Sequence, residues 1–432
     1  APPRTNHMTH PPSLADIAAQ LEAYDPQALP ANEVLNFLDH LVTPVHDSES
    51  VDIFAALGRV TAQDVISPLN VPPHDNSAMD GFAFDGAQLR DTQSLSLKVV
   101  GTALAGKAWA GTVNAGECVK IMTGAIMPEG LNTVVPQELC QITASETIEI
   151  PAGLLKSGDN RRLCGEDIMQ GHAALLKGAL ITPAAAGLLA SLGVPNVLVV
   201  RRLRVAYFST GDEILSLGEA PREGAVYDSN RYTVHGMLQA LGCEMIDMGV
   251  VKDIPELLEQ AFSKAAEQAD AIITSGGVSV GEADFTKAMM KKLGDVVFWK
   301  IAMRPGRPMA VGRIQKGQRS AVLFGLPGNP VAVMVTFLAF VKPALLKMMG
   351  CTAAPLPMLR ARTQEVLRKK PGRTEYQRGI VSRNAQGELQ VITTGNQGSG
   401  VLSSMVQANG LIVLSHQQGT AQLGDWVDVL VL

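Results

Sequence analysis

The segment at residues 270–284, with the sequence DAIITSGGVSVGEAD, combines residue types that could bind a phosphate group together with a metal ion. It begins with an apolar, β-branched run, which predicts a short strand buried on both faces. The strand should end at Ser275, because Gly276 and Gly277 can take positive φ and bring backbone N–H groups close to a ligand. Ser275 and Ser279 add hydroxyl donors, so the loop is suited to an oxyanion.

Two carboxylates in the same segment, Glu282 and Asp284, change the prediction for this loop. They would repel a bound anion unless a cation such as Mg²⁺ lay between them and the anion. The segment therefore predicts phosphate and metal binding together. A glycine turn followed by a solvated, acidic helix start remains an open alternative, since the spacing matches neither the Walker nor the dinucleotide-binding pattern.

The region around this loop alternates predicted strands with predicted helices from residue 204 onwards. Strands are predicted at 205–208, 245–251, 271–274, 296–299 and 321–324. Helices are predicted at 230–241, at 255–268, after residue 284 and from Asn329-Pro330 onwards. Asp253 is predicted to open the helix at 255–268. This alternation predicts a parallel, doubly wound sheet with helices on both faces. Ligands bind such sheets at the carboxyl ends of the strands.

Polar residues follow all of these strands, which predicts one shared anion site. Arg304 and Arg307 offer planar guanidinium groups that match oxyanion edges. The N–H groups of Gly328 and Asn329 open an apolar helix, a position that favours anions. The polar residues that follow the strands are Ser209, Thr210, Asp212 and Glu213; Lys252 and Asp253; residues 275–284; Lys300, Arg304 and Arg307; and Pro327, Gly328 and Asn329.

The flanking regions predict other domains. Helical spacing is present at 32–42, a second helix is expected at 50–57, and Thr182-Pro183 has the signature of a helix start. Short apolar runs separated by glycines predict an all-β unit at 95–150, and the tail predicts a compact β-domain with strands at 388–393, 411–415 and 426–432. The sequence HDNSAMDG at 74–81, the Thr123 loop and the Arg161 loop are polar, and each taken alone fits a solvated turn.

Composition limits the possible functions. The 432 residues suggest about three domains. A formal net charge of -5 gives no global attraction to nucleic acid or to an anionic membrane surface. The five cysteines contain no C-x-x-C pair, which favours a reducing, cytoplasmic setting without a zinc ribbon. The most apolar segment, 331–341, meets Lys342 and Pro343 and predicts a buried helix rather than a membrane span.

Eight ordered motifs resemble those of the molybdopterin molybdenumtransferases, the MoeA and gephyrin E-domain family. They extend from residue 74 to residue 379, and the resemblance covers about residue 30 to the C-terminus. They are HDNSAMDG, IMTGA, RRLCGEDI, STGDE, SGGVSVGEADFTK, RPGRP, GLPGNPVA and YQRG. The resemblance implies Mg²⁺-dependent insertion of molybdate into adenylylated molybdopterin with release of AMP. It also implies an elongated homodimer with an active site shared between subunits.

The resemblance also assigns residues to roles. It implies catalytic roles for Asp80, Thr123, Arg161, Asp167, Glu213, Asp253 and Asp284, of which the last three would hold Mg²⁺. Substrate-binding positions are Ser275, Gly276, Gly277, Ser279, Lys300, Arg304, Arg307, Pro327, Gly328, Asn329, Arg378 and Ser399. The family commonly has lysines where this chain has Arg304 and Arg307. Because a guanidinium is larger than an ammonium group and donates through a fork, we expect these arginines to change the affinity for molybdate or its selectivity over tungstate and sulfate.

The expected architecture is multidomain α/β plus β, and the boundaries follow the motifs. We expect a disordered N-terminal segment at 1–25, partly derived from cloning, and a mixed helical scaffold domain at 26–70 and 168–200. A small inserted β-domain is expected at 71–167, a doubly wound, molybdopterin-binding-like α/β domain at 201–352, and a β-barrel-like domain at 353–432.

Two other functions remain open at this level. One is a non-catalytic molybdopterin-binding or receptor-scaffold protein of the gephyrin type. The other is a different enzyme on the same α/β unit, such as a nucleotide pyrophosphatase or the molybdopterin adenylyltransferase of the preceding step, which is also a possible partner. Neither enzyme requires the motifs in the flanking domains.

Overall fold

The computed structural model describes residue 14 and residues 29–143, 146–278 and 285–432. Most of the N-terminal segment expected at 1–25 therefore lies outside the described residues, as do Ser279, Glu282 and Asp284. The helices are Ala31–Leu41, Ile53–Ala56, Pro183–Ser191, Asn230–Leu241, Pro255–Gln268, Phe285–Leu293, Pro330–Thr336, Lys342–Met348 and Leu402–Gln407, with 3-10 turns at Gly86–Gln88 and Gln137–Leu139 and a π-helical turn at Phe337–Val341.

The central α/β sheet has four parallel strands in the order of a doubly wound fold, which confirms the predicted fold class. Two strands in antiparallel pairing extend one edge: Gly294–Arg304, which was predicted at 296–299, and Pro308–Lys316, which was not predicted. Across the sheet the strands are Glu244–Val251, Arg204–Thr210, Ala271–Ser275, Arg319–Leu326, Pro308–Lys316 and Gly294–Arg304.

The strand Pro308–Lys316 escaped prediction because it begins with proline and contains Gly312, both of which signal turns. A Cβ on Gly312 would lie 2.0 Å from the carbonyl oxygen of Asp295 on the neighbouring strand. Glycine is therefore present because the two strands approach closely here, and not because the chain turns.

Two apolar cores, one on each face of the sheet, follow from the alternation of side chains along its strands. Val205 packs in one core with Val234 and Leu238 of the helix Asn230–Leu241. Phe208 packs in the other, where its ring meets Phe262 edge-on at 5.0 Å between centroids. Helices cover both faces, as the sequence pattern predicted.

The helical segment Pro330–Met348 is long and apolar enough to cross a membrane by length and composition, with a mean hydropathy of 1.8. Its most apolar window is 61% buried against other elements, as expected for the core helix predicted at 331–341. The helical path does not stop at Lys342 and Pro343. The π-helical turn Phe337–Val341 precedes them, and Pro343 occupies the start of the next helix, where a missing N–H costs little.

Two all-β units flank the α/β sheet, as predicted. A six-stranded sheet contains Thr133–Pro136, Gly81–Phe84, Glu117–Ile121, Leu95–Ala103, Thr147–Ile150 and Gln141–Thr143 in that order. The C-terminal strands Leu359–Thr363, Thr374–Arg383, Leu389–Thr393, Gly410–Leu414 and Trp426–Val431 pair in a ring and close a five-stranded barrel.

The scaffold region combines the helix Ala31–Leu41, the capped helix Pro183–Ser191 and short strand pairs. The side chain of Thr182 accepts from the N–H of Ala185, which confirms the predicted helix start. The helix expected at 50–57 is wrong for its first half. Ser48–Asp52 is a strand paired with Asn196–Val200, and Asp52 caps only a short helix, Ile53–Ala56.

Minor strand pairs complete the structure. They are Leu29–Pro30 with Gly294–Arg304, Val65–Ile66 with Ala173–Leu175, Asn76–Ser77 with Arg161–Arg162, and Ile214–Leu215 with Val226–Tyr227.

An ion pair joins the scaffold to the edge of the α/β sheet. Arg201 donates to both carboxylate oxygens of Asp270, at 2.9 and 2.7 Å, and the N–H of Arg204 donates to the same group at 2.8 Å. Burial alone would raise the pKa of Asp270, but the hydrogen bonds from Arg201 and Arg204 outweigh it and hold the pKa below the usual value. The carboxylate form is therefore stabilised by folding.

We predict that Asp270→Asn lowers the free energy of unfolding at neutral pH by about 3 kcal/mol, since it removes the mostly buried charged partner of Arg201 and leaves only the exposed Asp47, 3.3 Å away. The pKa of Asp270 in the folded state is below its unfolded value of about 3.9, so its ionised carboxylate stabilises the protein above pH 3.9. This contribution to the free energy of unfolding is lost as the pH falls through the folded-state pKa. Urea titrations at pH 7 and in the acid range should show a smaller acid-induced loss in the variant. Glu244→Gln, at an exposed 4.0 Å pair with Arg204, should change little; equal effects would contradict the prediction.

Candidate functional site

A cavity of about 1320 Å³ lies at the carboxyl ends of the central strands, where a doubly wound sheet binds its ligands. Its described walls come from the strand-end loops of the α/β sheet and from two loops of the C-terminal barrel. The residues that line it are Ser209 to Ile214, Val226 to Asn230, Asp253, Ser275 to Gly277, Thr286, Met303 to Pro308, Pro327 to Pro330, Ala332, Arg373 and Gln397 to Gly400.

The floor of the cavity is formed where the parallel strands Arg204–Thr210 and Ala271–Ser275 end side by side. Gly276 has φ 85°, and a Cβ at this position would lie 2.6 Å from the carbonyl oxygen of Thr210. Any larger residue would separate the two loops. Its N–H donates to the carbonyl of Leu326, which holds the loop against the third strand of the floor.

A buried hydrogen-bond network lies directly under this floor. The Tyr207 hydroxyl is 2.7 Å from Ser209 Oγ and 2.9 Å from Ser275 Oγ, and the two serines are 3.1 Å apart. Ser209 donates to Asp228 Oδ2 at 2.9 Å, while Asp228 Oδ1 accepts from the N–H of Arg231. Burial raises the pKa of the Tyr207 hydroxyl, so it stays protonated as a donor. The network fixes two strand ends and one loop relative to each other.

A second contact ties the loop before the helix Asn230–Leu241 to the loop GLPGNP. The side-chain amide of Asn230 donates to the carbonyl of Gly328 at 2.9 Å, and Asn230 is only 7% exposed. Its Oδ1 has no hydrogen-bond partner among the described residues. Pro327, Gly328 and Asn329, predicted to bind substrate, line the cavity beside it.

The cationic wall contains Arg304 and Arg307, both predicted, and Arg373. Arg373 Nη2 lies 3.3 Å from the carboxylate of Glu375, which is 5% exposed. Ser399, also predicted, lines the cavity beside Gly398 and Gly400. Lys300 is exposed and is not among the described residues of the cavity wall.

Arg378 lies behind the wall and is fully buried. It donates from Nε to Ser404 Oγ at 2.9 Å and from Nη2 to the carbonyl of Gly398 at 2.7 Å, so it holds the loop that carries Ser399. Its Nη1 has no hydrogen-bond partner among the described residues. Burial, followed by the nearby Arg304, lowers the pKa of the Arg378 guanidinium. Arg378 is therefore not a surface arginine, and its role in substrate binding remains a prediction.

Two of the three predicted metal ligands, Glu213 and Asp253, line the cavity. The third, Asp284, lies outside the described residues. Within the described ranges, no group of three His, Cys, Asp or Glu side chains is placed to hold a metal. The donors present are hard oxygen atoms, and Mg²⁺ commonly binds through one or two carboxylates together with substrate phosphates. This donor set fits Mg²⁺ in chemistry. Asp253 does not cap the helix Pro255–Gln268, whose N-cap is Ile254.

Two of the remaining predicted residues, Asp80 and Thr123, are in contact in the inserted β-domain. Asp80 Oδ1 accepts from the N–H and the hydroxyl of Thr123, both at 2.8 Å, and these bonds, the N–H first, lower the pKa of Asp80. Arg161 pairs in register with Ser77, three residues before Asp80, and lies 3.7 Å from Asp75. Asp167 donates its N–H to the carbonyl of Val71. None of the four belongs to the described cavity wall.

Several residues of the cavity wall were not predicted from the sequence, namely Tyr227, Asp228, Ser229, Asn230, Gln397 and Gly398. The sequence YDSN at 227–230 did contain a signal, since a run of acidic and amide residues immediately before a predicted helix lies at the same edge of the sheet as the strand ends. The barrel residues had no comparable signal, because they reach the cavity only through tertiary contacts.

Three family models match the chain in order. The MoeA N-terminal region (domain I and II) matches residues 29–193, a probable molybdopterin binding domain matches 206–347, and the MoeA C-terminal region (domain IV) matches 360–432.

Relatives of established name match almost the whole chain. The molybdopterin molybdenumtransferase of Haemophilus influenzae is 42% identical over 91% of this chain and 95% of its own length. That of Nostoc is 35% identical over 93% and 92%. Gephyrin of Dictyostelium discoideum is 30% identical over 90% of this chain but only 60% of its own length. The crystal structure of a molybdopterin biosynthesis MoeA protein from Pyrococcus horikoshii superposes with a TM-score of 0.77 at 27% identity, covering 94% of this chain and 100% of that one.

We predict that Asp228→Ala destabilises the protein by about 2 kcal/mol, because Ser209 and the N–H of Arg231 lose a charged acceptor beneath the floor. Chemical denaturation at neutral pH measures the change. Asp212→Ala removes an exposed carboxylate of the same cavity and should stay within about 0.5 kcal/mol. Equal losses in the two variants would show that the network contributes no special stability.

Proposed function

Because the chain belongs to the molybdopterin molybdenumtransferase (MoeA) family, we propose that it inserts molybdate into adenylylated molybdopterin and releases AMP. The observation that supports this most directly is that one cavity combines glycine and serine loops, carboxylates and arginines. Such a cavity matches a substrate with a phosphoanhydride and a second, tetrahedral oxyanion.

The loops of the floor act by positioning the phosphoanhydride. Its cleavage spreads negative charge over phosphate oxygens, and preorganised donors stabilise that charge without a general base. Gly277 on one side and Gly328 and Asn329 on the other are the described groups best placed for this role, with Ser279 assigned from the sequence alone. Ser275 and Gly276, also predicted to bind substrate, hold the loop in position, because the Ser275 hydroxyl is bonded to Tyr207 and the Gly276 N–H to Leu326. The network of Tyr207, Ser209 and Asp228 keeps the floor rigid.

Carboxylates beside the floor would hold Mg²⁺. Glu213 and Asp253 line the cavity, and Asp284 joins them on the basis of its sequence position. When bound, Mg²⁺ would neutralise charge on the phosphoanhydride oxygens. The carboxylates themselves need no proton transfer in this scheme.

The arginine wall would bind molybdate, the second substrate. Arg304 and Arg307 line the cavity with Ser399, while Arg378 holds the Ser399 loop from behind. Guanidinium groups bind tetrahedral dianions by forked hydrogen bonds. Lys300 remains assigned to substrate binding by its sequence position, and would reach the site only from outside the described wall.

We further propose a homodimer in which Asp80, Thr123, Arg161 and Asp167 of one subunit complete the cavity of the other. None of the four lines the described cavity of its own chain, and Asp80 and Thr123 are bonded to each other away from it, which is compatible with a site completed by a second subunit. All five cysteines are free, in keeping with a reducing, cytoplasmic setting. The adenylyltransferase of the preceding step is a proposed partner.

The gephyrin-type scaffold is the less favoured alternative, since the chain is 42% identical to the molybdopterin molybdenumtransferase of Haemophilus influenzae and 30% identical to the gephyrin relative. Formation of AMP would distinguish an enzyme from a scaffold. An adenylyltransferase would instead form adenylylated product from ATP and molybdopterin, and we expect none here.

The decisive assay incubates the protein with adenylylated molybdopterin, Mg²⁺ and molybdate, and measures AMP and active cofactor together. We predict that Asp284→Ala leaves AMP release at background, because a metal ligand is lost. Glu267→Ala, which removes an exposed carboxylate of the helix Pro255–Gln268 outside the described cavity wall, is the control and should retain activity. A near-normal rate in Asp284→Ala would remove this residue from the mechanism, and no AMP from the unaltered protein would refute the proposed reaction.

A shared site also predicts complementation between inactive variants. In the proposed dimer, each site takes Arg304 from one subunit and Asp80 from the other. A mixed dimer of Asp80→Ala with Arg304→Ala therefore has one intact site and one site with both substitutions. Refolding a one-to-one mixture should restore about a quarter of the unaltered activity, because half of the dimers are mixed. A mixture of Asp80→Ala with Thr123→Ala should stay inactive, since both lie in the same half. No recovery in verified mixed dimers would contradict a shared site.

A further inference from the structure

One corner of the cavity carries large apolar side chains. Among the described residues of the wall, Tyr227 is the aromatic one, and Ile214 and Val226 lie beside it. Tyr227 is 42% exposed and Val226 is 58% exposed. Large apolar side chains that stay exposed at the edge of a polar cavity are typical of a surface that a ligand covers.

The ring of Tyr227 is held in place although it is exposed. Its hydroxyl donates to the carbonyl of Glu219 at 2.7 Å. Glu219 is itself fixed in a turn, because its carboxylate accepts from the N–H of Ser216 at 2.6 Å. The guanidinium of Arg222 donates to the carbonyl of Asp212, which ties the same loop to the cavity edge. The Tyr227 ring is therefore preorganised before a ligand enters.

This corner is continuous with the polar part of the cavity. The short strands Ile214–Leu215 and Val226–Tyr227 pair, the N–H of Val226 donates to the carbonyl of Glu213 at 2.8 Å, and that of Asp228 donates to Leu215 at 2.9 Å. Tyr227 thus immediately precedes Asp228, on a strand whose neighbour follows Glu213, and both of these acidic residues line the cavity. A ligand whose phosphate occupied the floor could extend a planar group towards the ring.

We propose that Tyr227 is a binding residue that stacks on a planar heteroaromatic ring of the substrate, either adenine or pterin. The inference rests on the proposed function, because that substrate carries both rings and Tyr227 is the aromatic residue among the described residues of the wall. Stacking on an aromatic side chain suits either ring, since both have a π face and need no specific hydrogen bond.

The test compares ligands that differ only in the ring. AMP and ribose 5-phosphate share the sugar and phosphate, so the ratio of their dissociation constants measures the contribution of adenine. We expect Tyr227→Ala to weaken AMP binding about 5-fold to 100-fold, the range for loss of one stacked base, and to leave ribose 5-phosphate within about twofold. Tyr227→Phe keeps the ring and should stay within about threefold of the unaltered protein for AMP.

A parallel arm uses free pterin, whose fluorescence reports binding. Weaker pterin binding in Tyr227→Ala with unchanged AMP binding would support the inference and assign the ring to pterin. No change for either ligand, or equal weakening of AMP and ribose 5-phosphate, would overturn it. So would an unaltered protein that binds neither AMP nor pterin more tightly than ribose 5-phosphate. Thermal unfolding confirms that each variant is folded.

The outcome can be separated from that of the proposed function. A protein that binds AMP through Tyr227 but releases no AMP from adenylylated molybdopterin keeps the stacking inference and loses the reaction. A protein that releases AMP normally as Tyr227→Ala, with unchanged KM for the adenylylated substrate, keeps the reaction and loses the inference.

Discussion

The cavity depends on the parallel pairing of the strands Arg204–Thr210 and Ala271–Ser275. Parallel strands end at the same edge of a sheet, so the loops that follow them must meet there. The hydroxyls of Tyr207, Ser209 and Ser275 tie the two ends together, and Asp228 accepts the outermost of these bonds. A polar network this deeply buried is stable only when its members are satisfied, which makes the floor rigid.

The second determinant is the contact between the α/β sheet and the barrel. Met303 and Arg304 pair in parallel with Thr374 and Glu375, and the N–H of Val331 donates to the carbonyl of Ser399. These bonds bring the barrel loop around Ser399 to the arginine wall. The same strand pairing places Arg304 beside Glu375, so a buried carboxylate lies close to a cationic wall and reduces repulsion among its arginines.

The inserted β-domain has its own polar group, and its distance from the cavity follows from chain topology. The group around Asp80 and Thr123 is held by hydrogen bonds within that domain, and it contributes nothing to the described cavity wall. In the proposed homodimer, a second subunit would bring these two polar groups to one ligand. The cavity and its apolar corner at Tyr227 then describe one half of a larger site.

The sequence alone determined the elements whose signals are local. Alternating strands and helices predicted the doubly wound sheet, and the apolar run that ends at Ser275 predicted the strand on which the floor depends, because burial on both faces leaves a continuous hydrophobic pattern. Strand-end residues such as Glu213, Asp253, Arg304 and Asn329 could be assigned to one site from the sequence pattern, since the carboxyl ends of parallel strands share one edge of the sheet.

Only the tertiary structure decided the rest. The burial of Arg378 could not be predicted, because its strand, Thr374–Arg383, is too polar to show an apolar pattern. The residue is buried because the Ser399 loop covers it. The position of Tyr227, Asp228 and Asn230 before a predicted helix indicated the edge of the sheet at which they lie. Their hydrogen bonds to Glu219, Ser209 and Gly328 depend on how separate segments pack, and no local pattern encodes such contacts. Local periodicity reports burial and backbone conformation, whereas the position of a side chain in a site depends on which distant segments pack against it.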